Sequence, residues 1–326
     1  MTKIYYDKDA SLDVLKGKRV AVIGYGIQGR AQSLNLKDSG VDVVVAQKFK
    51  DEYYERAKTD GMEIMDIPEA VKGSDIVMML IPDEVQKEVY DKEVAPHLRE
   101  GMVLDFAHGF NIHFKRIVPP EFIDVIMVAP KGPGALVRET FEAGNGVPAL
   151  IAVHQDHSKK AKETALAIAK GLGATTKGVI ETSFEEETET DLFGEQVVLC
   201  GGASELIGSA FDFLIRSGYQ PEVAYFEVLH ELKLIIDLVQ KGGIEGMWKN
   251  VSNTAEYGGR TRGARIIDPA TASAMKNVLA DIKSGGFAKE WVDEYEAGMP
   301  TLTKLRQEGA KSPIEVIGTD IRKMFK

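Results

Sequence analysis

The chain has 326 residues, of which 44% are hydrophobic and 28% charged, which is enough for two domains with a substantial core. Its formal net charge of −10 argues against a nucleic-acid-binding face, because binding phosphates needs clustered Lys and Arg. The single cysteine, Cys200, excludes an intramolecular disulfide and a cysteine-built metal site. Neither a signal peptide nor a transmembrane-length apolar stretch is apparent, so we expect a soluble, cytoplasmic protein that binds no membrane.

Short β-branched runs alternate with longer polar-apolar segments in the first half of the chain. The predicted strands are 19–23, 41–45, 75–80, 102–106, 124–128 and 149–153. Near-continuous apolar strands separated by helix-length segments indicate a parallel sheet that is covered on both faces. We therefore predict a Rossmann-like, doubly wound α/β domain over residues 1–182.

The pattern changes to helical periodicity beyond that point, which predicts an all-α domain over residues 183–326. Ser183 is the predicted N-cap of its first helix, and the acidic run behind it is expected to be a solvated first turn. The segment 192–215 is apolar on most sides and contains several glycines, which we expect to allow close approach of another backbone. Cys200 lies in this segment and is expected to be a small core residue.

A glycine-rich motif follows the first predicted strand. Gly24-Tyr-Gly26-Ile-Gln-Gly29 separates that strand from a helix, which is the context in which glycines let a pyrophosphate reach the helix N-terminus. The motif alone is weak and could be only a tight turn, but inside a repeating βα unit it predicts dinucleotide binding.

The loop after the second strand does not decide between the two nicotinamide cofactors. The strand ends Val45-Ala-Gln-Lys48, without the acidic residue that usually binds the ribose of NAD. The following residues supply Asp51 and Glu52, which suit a ribose diol, and Lys50, which with Lys48 could hold a 2′-phosphate. The alternative is an ordinary solvated loop.

Two acidic pairs stand at i, i+4 spacing in the helical half: Asp191 with Glu195, and Glu227 with Glu231. This spacing puts both carboxylates of a pair on one helix face, where they repel each other unless a cation compensates. Oxygen ligands without cysteine favour Mg²⁺ over Zn²⁺, and four carboxylates suit two ions. The alternative is two pairs of surface acids.

His108 and Lys131 each follow the end of a predicted parallel strand. His108 lies in Phe106-Ala-His-Gly-Phe110, and Lys131 lies in Val128-Ala-Pro-Lys-Gly-Pro-Gly134. Doubly wound sheets bind ligands at the carboxyl ends of their strands, so both residues are candidates for function, although either could be an ordinary loop residue.

Taken together, these motifs resemble ketol-acid reductoisomerase in its short form. The resemblance rests on the glycine turn, the segments around His108 and Lys131, and the two acidic helices, and it extends from Tyr5 to Ile317. It implies conversion of 2-acetolactate, or 2-aceto-2-hydroxybutyrate, into a 2,3-dihydroxy acid. An alkyl group migrates first, and the nicotinamide then reduces the resulting 2-keto acid; the products serve valine, leucine and isoleucine synthesis.

The resemblance also implies a role for each matching residue. Two Mg²⁺ ions would be bound by Asp191, which bridges them, by Glu195 on the first ion, and by Glu227 and Glu231 on the second. Ser252 would bind the substrate carboxylate, and His108 and Lys131 would support proton movement. The cofactor residues implied by family position or by the motif are Gly24, Tyr25, Gly26, Ile27, Gln28, Gly29, Lys48, Asp51, Tyr53, Asp83, Glu84, Val85, Gln86 and Gly134.

In the short form of the family the helical domain is knotted and interlocks with a second copy. The resemblance therefore implies a homodimer whose active sites are shared, with Glu227, Glu231 and Ser252 coming from the partner, and it leaves larger assemblies open. Family members that use NADPH usually carry Arg and two hydroxyl residues where this chain has Lys48, Asp51 and Tyr53. A carboxylate repels a 2′-phosphate, so we predict that NADH is preferred and that NADPH is also usable.

Two other functions share parts of this pattern. A metal-independent hydroxyacid dehydrogenase would have the same Rossmann half, but it would leave four acids at metal spacing unexplained. A non-catalytic dinucleotide-sensing protein would bind the cofactor equally well with or without Mg²⁺. Acetolactate-dependent oxidation of the reduced cofactor, with and without a chelator, distinguishes all three.

Overall fold

The computed structural model of the chain describes residues 2–325. Its internal contacts divide it into two compact units, Met1–Thr190 and Asp191–Lys326. The first is built around a sheet, and the second is helical.

Within the described part of the first unit, nine strands form one sheet in the order β1-β9-β8-β7-β6-β5-β2-β3-β4. All six predicted runs are strands, which confirms the α/β expectation, and three short strands at or near the sheet edges were not predicted. The strands are β1 Ile4–Tyr5, β2 Arg19–Ile23, β3 Asp42–Ala46, β4 Glu63–Met65, β5 Ile76–Met79, β6 Val103–Phe106, β7 Asp124–Pro130, β8 Ala149–Gln155 and β9 Val179–Glu181.

The sheet is parallel from β4 to β7 but mixed beyond it, so the prediction of a wholly parallel sheet was wrong at this edge. Strand β8 pairs antiparallel to β7, and β1 pairs antiparallel to β9. The reason lies in the helix between β7 and β8 (α6, Gly134–Glu142), which packs on α1 (Ile27–Asp38) instead of returning along the sheet. The next strand therefore starts at the edge where β7 ends.

Apolar side chains cover both faces of the sheet, as expected of a doubly wound fold. One core contains Val20, Val22 and Ile126, and the other contains Ala21, Ile23 and Val125, because successive strand residues point to opposite faces. The helices of this unit are α1, α2 Glu52–Thr59, α3 Ile67–Lys72, α4 Asp83–Val89, α5 Phe110–His113, α6, α7 Ala161–Gly171 and most of α8 Phe184–Gly194.

The second unit confirms the prediction of a helical C-terminal half. Its α-helices after α8 are α9 Gly201–Arg216, α10 Pro221–Tyr225, α11 Glu231–Trp248, α12 Asn253–Ile266, α13 Pro269–Ser284, α14 Gly286–Glu296, α15 Pro300–Gly309 and α16 Pro313–Ile321. A small core forms around the buried side chains of Phe211, Tyr225 and Ile321.

The predicted glycine-rich helix 192–215 is not a regular α-helix. It contains a π-helical segment, Glu195–Leu199, between α8 and α9. A Cβ on Gly202 would lie 1.8 Å from the carbonyl oxygen of Val197, so this glycine accommodates the wide turn of its own helix. Cys200 at this junction is exposed, which makes the expectation of a core position wrong.

Much of the apolar surface of the second unit faces outward in the single chain. Leu199 is 70% exposed and Phe213 is 73% exposed. The continuous helix Phe184–Arg216 is long and apolar enough to cross a membrane by length and composition alone, and only 6% of its most apolar window is buried. The expectation that no apolar stretch reaches transmembrane length was therefore wrong by this criterion, which tolerates charged residues such as Glu195 and Glu205 within the helix. Such a stretch is weak support for a membrane span, since core helices of soluble proteins have the same composition.

Candidate active site

The glycine-rich turn joins β2 to α1 at the carboxyl edge of the sheet. Gly24 has φ +95°, and a Cβ there would lie 2.6 Å from Ile81 Cγ2 and 2.9 Å from the Leu80 carbonyl oxygen. A Cβ on Gly29 would lie 2.3 Å from the carbonyl oxygen of Gly24. These two glycines are therefore required by the packing of the turn against itself and against the end of β5.

Gly26 differs from its neighbours, because a Cβ at this position would meet no atom within 4 Å. Its surroundings leave the backbone open to an incoming group, as in turns where the second glycine lets a pyrophosphate approach. Gly134 at the start of α6 packs on the same turn, and its Cβ would lie 2.4 Å from the carbonyl oxygen of Ile27. Gln28 Nε2 donates to the Gly132 carbonyl oxygen at 3.0 Å, which ties the turn to the loop after β7.

Tyr25 points into the protein, with 1% of its surface exposed, so any contact with a bound pyrophosphate comes from its backbone. Its hydroxyl donates to Asp60 Oδ2 at 2.9 Å. Arg30 donates to the same carboxylate from Nε at 2.7 Å and from Nη2 at 3.0 Å. Burial and the hydrogen bond to Asp60 raise the pKa of Tyr25, and the hydrogen bond from Arg30 lowers the pKa of Asp60. Asp60 was not predicted, because no sequence motif marks it, and it joins the turn to the end of α2.

The loop after β3 holds its charged side chains in defined contacts. Lys48 Nζ lies 2.6 Å from Glu93 Oε1. Asp51 is the N-cap of α2 and accepts from the backbone N–H groups of Tyr53 and Tyr54, each at 3.0 Å. Tyr53 is 37% exposed. Gln47 Nε2 also donates to its two oxygens, at 3.2 and 3.3 Å. Asp51 is thus a half-buried capping residue at the carboxyl edge of the sheet.

Asp83, Glu84, Val85 and Gln86 form the first turn of α4, directly after β5. Gln86 is buried and donates from Nε2 to the Ile81 carbonyl oxygen at 2.9 Å, while Asn111 Nδ2 donates to Gln86 Oε1 at 3.0 Å. Gln86 therefore holds the start of α4 in place. The side chains of Asp83, Glu84 and Val85 are partly exposed to solvent.

His108 and Lys131 converge on a carboxylate that the sequence reading missed. Glu187 Oε2 lies 3.0 Å from His108 Nδ1 and accepts from the Gly109 N–H at 3.1 Å, and Oε1 lies 2.8 Å from Lys131 Nζ. The Glu187 side chain is only 1% exposed. Helix α8 thus delivers a buried acid to the loops after β6 and β7.

The charge of this acid is stabilised by its two partners. Burial alone would raise the pKa of Glu187, but the hydrogen bonds and positive charges of His108 and Lys131 outweigh burial and lower the pKa to about 2. Glu187 is therefore ionised at neutral pH, and it holds a cationic ammonium beside an imidazole.

The expectation that this acidic run is a solvated first turn was therefore wrong for part of it. Ser183 does cap α8, since its Oγ accepts from the Glu186 N–H at 3.0 Å. Glu187 and Glu189, however, are buried. Glu187 contacts His108 and Lys131, and Glu189 Oε1 lies 3.5 Å from His113 Nε2. The available signal was that Glu187 precedes Asp191 by four residues and so lies on the same helix face.

The four predicted metal ligands lie in the second unit, and each pair adjoins a π-helical segment. Asp191 is in α8 and Glu195 begins the segment Glu195–Leu199; Glu227 lies in Phe226–His230, and Glu231 starts α11. A π turn is wider than an α turn and often occurs at functional sites. Glu195, Glu227 and Glu231 are exposed in the single chain. Ser252 caps α12, and its Oγ accepts from the Ala255 N–H at 3.1 Å.

Comparison with known proteins gives two family matches that together span most of the chain. Residues 14–178 match the model described as acetohydroxy acid isomeroreductase, NADPH-binding domain, and residues 184–326 match ketol-acid reductoisomerase, C-terminal domain. Proteins named ketol-acid reductoisomerase (NADP(+)) from Pyrobaculum calidifontis and Pyrobaculum aerophilum are 59% and 57% identical, over 100% of this chain and 99% of each relative.

Solved structures give the same result. An NADH-preferring ketol-acid reductoisomerase from an uncultured archean has a TM-score of 0.96 and 48% identity, and the match covers 98% of both chains. A semialdehyde dehydrogenase NAD-binding protein from Cupriavidus necator, with a TM-score of 0.62 and 17% identity over 82% of this chain and 99% of that one, shares the fold alone.

Proposed function

The chain belongs to the ketol-acid reductoisomerase family, and from this premise we propose which substrates it takes and which residues perform the reaction. The substrates are 2-acetolactate and 2-aceto-2-hydroxybutyrate, and the products are the 2,3-dihydroxy acids required for branched-chain amino-acid synthesis. The observation that carries the residue assignment is the buried Glu187, which contacts both His108 and Lys131 at the carboxyl edge of the sheet.

The acids of the second unit fit Mg²⁺. Asp191, Glu195, Glu227 and Glu231 offer only carboxylate oxygens, a donor set that suits a hard divalent ion rather than Zn²⁺. Asp191 would bridge two ions, Glu195 would bind the first, and Glu227 and Glu231 would bind the second. When bound, the ions polarise the carbonyl and hydroxyl oxygens of the substrate.

Glu187 orients the two residues that handle protons. Its carboxylate faces His108 Nδ1, so the imidazole donates Nδ1–H to it and Nε2 is the atom that can take up or release a proton. Lys131 Nζ donates to the same carboxylate and can donate another hydrogen bond to a substrate oxygen. Ser252 would bind the substrate carboxylate through its hydroxyl.

The glycine-rich turn and the loop after β3 would bind the dinucleotide. Gly26 admits the pyrophosphate, Gly134 lines the nicotinamide end, and the first turn of α4 contacts the adenosine half. Asp51 would accept hydrogen bonds from the ribose hydroxyls, which favours NADH, while Lys48 leaves NADPH usable. The similar proteins include both an NADH-preferring enzyme and enzymes named for NADP(+). Catalytic efficiency measured with each reduced cofactor tests the predicted preference for NADH.

The protein would act in the cytoplasm as a soluble homodimer with shared active sites. The exposed apolar side chains of the second unit, such as Phe213 at 73% exposure, support burial against a second copy. Glu227, Glu231 and Ser252 would then come from the partner.

One assay tests the reaction class against its alternatives. Purified protein is mixed with 2-acetolactate and reduced cofactor, and cofactor oxidation is followed with Mg²⁺ or with a chelator. We expect oxidation that the chelator abolishes. Oxidation that persists with chelator indicates a metal-independent dehydrogenase, and cofactor binding without any oxidation indicates a sensing protein.

Asp191→Asn tests the metal assignment. It should abolish alkyl migration, while reduction of a simple 2-keto acid is partly retained, because migration depends on both ions. Each step is assayed separately, with acetolactate and with the rearranged keto acid. Near-wild-type turnover of acetolactate by this variant would contradict the two-metal assignment.

A further inference from the structure

An ion pair connects the loop after β3 to the helical segment that follows α4. Lys48 follows the end of β3, and its Nζ lies 2.6 Å from Glu93 Oε1. The lysine side chain is 48% exposed, whereas that of Glu93 is only 16% exposed. The carboxylate is therefore the better shielded and more firmly positioned member of the pair.

The sheet topology explains how Glu93 reaches this loop. Strand β2 lies between β3 and β5, so the carboxyl ends of β3 and β5 flank the glycine-rich turn. The chain leaves β5 into α4 and then forms the π-helical segment Tyr90–Val94, which contains Glu93. Its neighbours Tyr90 and Val94 are 4% and 0% exposed, and their burial fixes the orientation of the wide turn.

The contact changes what Lys48 can do. The hydrogen bond and negative charge of Glu93 raise the pKa of Lys48, which therefore stays cationic with its charge compensated. Its ammonium also lies 5.7 Å from the centre of the Phe49 ring. A 2′-phosphate that recruited Lys48 would have to separate it from Glu93 and would then face an uncompensated carboxylate.

We propose that Glu93 is a specificity-determining residue that disfavours the 2′-phosphate of NADPH by holding Lys48. A ribose diol needs no cation, so the pair leaves NADH binding unaffected. The inference rests on the proposed function, because it takes the loop after β3 as the adenosine-ribose site. It adds a determinant that lies outside that loop, 45 residues further along the chain.

The test is Glu93→Gln, which keeps the size of the side chain and removes its charge. NADH and NADPH binding to the full-length protein is measured by titration at one modest salt concentration. We expect the dissociation constant for NADPH to fall about threefold to fivefold, which is the upper part of the range for one partly exposed ion pair. The dissociation constant for NADH should change by less than about twofold, because no cation contacts the diol.

Three further variants show whether the effect passes through Lys48. Asp91→Asn removes the same charge two residues away, where the carboxylate pairs with Lys87 at 2.6 Å, and it should leave the NADPH to NADH ratio unchanged. Lys48→Met should lower NADPH affinity, and Glu93→Gln added to Lys48→Met should give a smaller gain than in the wild-type background.

Equal changes for both cofactors in Glu93→Gln, or an equally large effect of Asp91→Asn, would overturn the proposal. Asp51→Ser separates this failure from that of the proposed cofactor site. If Asp51→Ser improves NADPH binding and Glu93→Gln does not, only the role of Glu93 is refuted. If neither variant changes the relative affinity, the adenosine-ribose site lies elsewhere, and both proposals fail.

Discussion

At the scale of single residues, the buried acid Glu187 illustrates how a charge can be kept inside a protein. A carboxylate transferred from water into the interior loses its hydration, which is costly unless partners replace it. Here an imidazole, an ammonium and a backbone N–H supply that replacement. The same contacts hold His108 and Lys131 in fixed positions, so a residue stabilised by its neighbours also orients them.

Glu187→Gln should therefore lower acetolactate turnover by about 100-fold or more, the usual contribution of an oriented acid-base group. The amide keeps the shape but no longer stabilises the Nδ1–H form of His108 or the charge of Lys131. Steady-state turnover and circular dichroism are measured together. Glu185→Gln, which neutralises an exposed acid in the same helical turn, serves as the control. Equal activity of the two variants would contradict the orienting role.

Asp60 is a second residue with a testable role, in this case in the stability of the fold. Asp60→Asn should lower the free energy of unfolding by about 2 kcal/mol at neutral pH, because it breaks a bidentate charged hydrogen bond with Arg30. The pKa of Asp60 is lowered from 3.8 in the folded protein, mainly by Arg30. Its stabilisation is therefore complete above pH 3.8 and is lost as the pH falls through the folded-state pKa.

Denaturant unfolding at pH 7 and at acidic pH checks this prediction. The difference between wild type and Asp60→Asn should shrink as the pH falls below 3.8. Glu69→Gln, which removes an exposed ion pair with Lys72, should stay within about 1 kcal/mol of wild type. If the difference in the free energy of unfolding between wild type and Asp60→Asn grows as the pH falls, the prediction is contradicted.

At the scale of elements, two glycines of the β2–α1 turn, Gly26 and Gly29, have different roles although both belong to the same sequence motif. Gly29→Ala should lower the free energy of unfolding by about 1–3 kcal/mol, because the added methyl overpacks the turn. Gly26→Ala should fold like wild type, since a Cβ there meets nothing within 4 Å. Its NADH affinity should nevertheless fall at least about tenfold, because the methyl occupies the pyrophosphate approach.

Thermal unfolding without cofactor and NADH titration separate these two effects. We expect Gly29→Ala to lose stability, and we expect Gly26→Ala to lose NADH affinity while its stability is unchanged. If Gly26→Ala binds NADH normally, the pyrophosphate does not approach the turn at this glycine.

The π-helical segments are a second feature at this scale. They place Glu93, Glu195 and Glu227 in wide turns, where each side chain is rotated from its position in a regular α-helix. Since a π turn has poorer backbone geometry than an α turn, such segments persist mainly where function needs them. Three functional candidates in three such segments are consistent with this tendency.

At the scale of the whole molecule, the exposed apolar surface of the second unit requires a cover. Co-expression of Asp191→Asn and Glu227→Gln chains should restore activity if each site takes Asp191 from one chain and Glu227 from the other. A hybrid dimer then has one site with both substitutions and one with neither, so it should retain about half of the wild-type activity. Each chain expressed alone is the control.

Hybrid dimers are purified with two different affinity tags before the assay. Activity no higher than that of either parent would mean that each site is built within one chain. The same preparation tests the apolar helix Phe184–Arg216. If the protein is recovered in the soluble fraction without detergent, this helix is covered by protein rather than by lipid.

Features that depend on neighbouring residues along the chain could be predicted from the sequence. Apolar runs gave the six main strands, the glycine motif gave the β2–α1 turn, and helical periodicity gave the all-α second half. His108 and Lys131 were selected as candidates because each closely follows a strand, and their roles remain predictions. The motifs also sufficed to identify the family, because its acidic helices are highly specific.

Contacts between residues far apart in the sequence could not be predicted and became visible only in the folded chain. The burial of Glu187 on two strand-end loops, the antiparallel direction of β8 and the pairing of Lys48 with Glu93 depend on how elements pack. The sequence around an acidic residue in the first turns of a helix is the same whether its carboxylate faces water or the sheet. Its environment is set by contacts with residues far along the chain, and local sequence patterns do not encode those contacts.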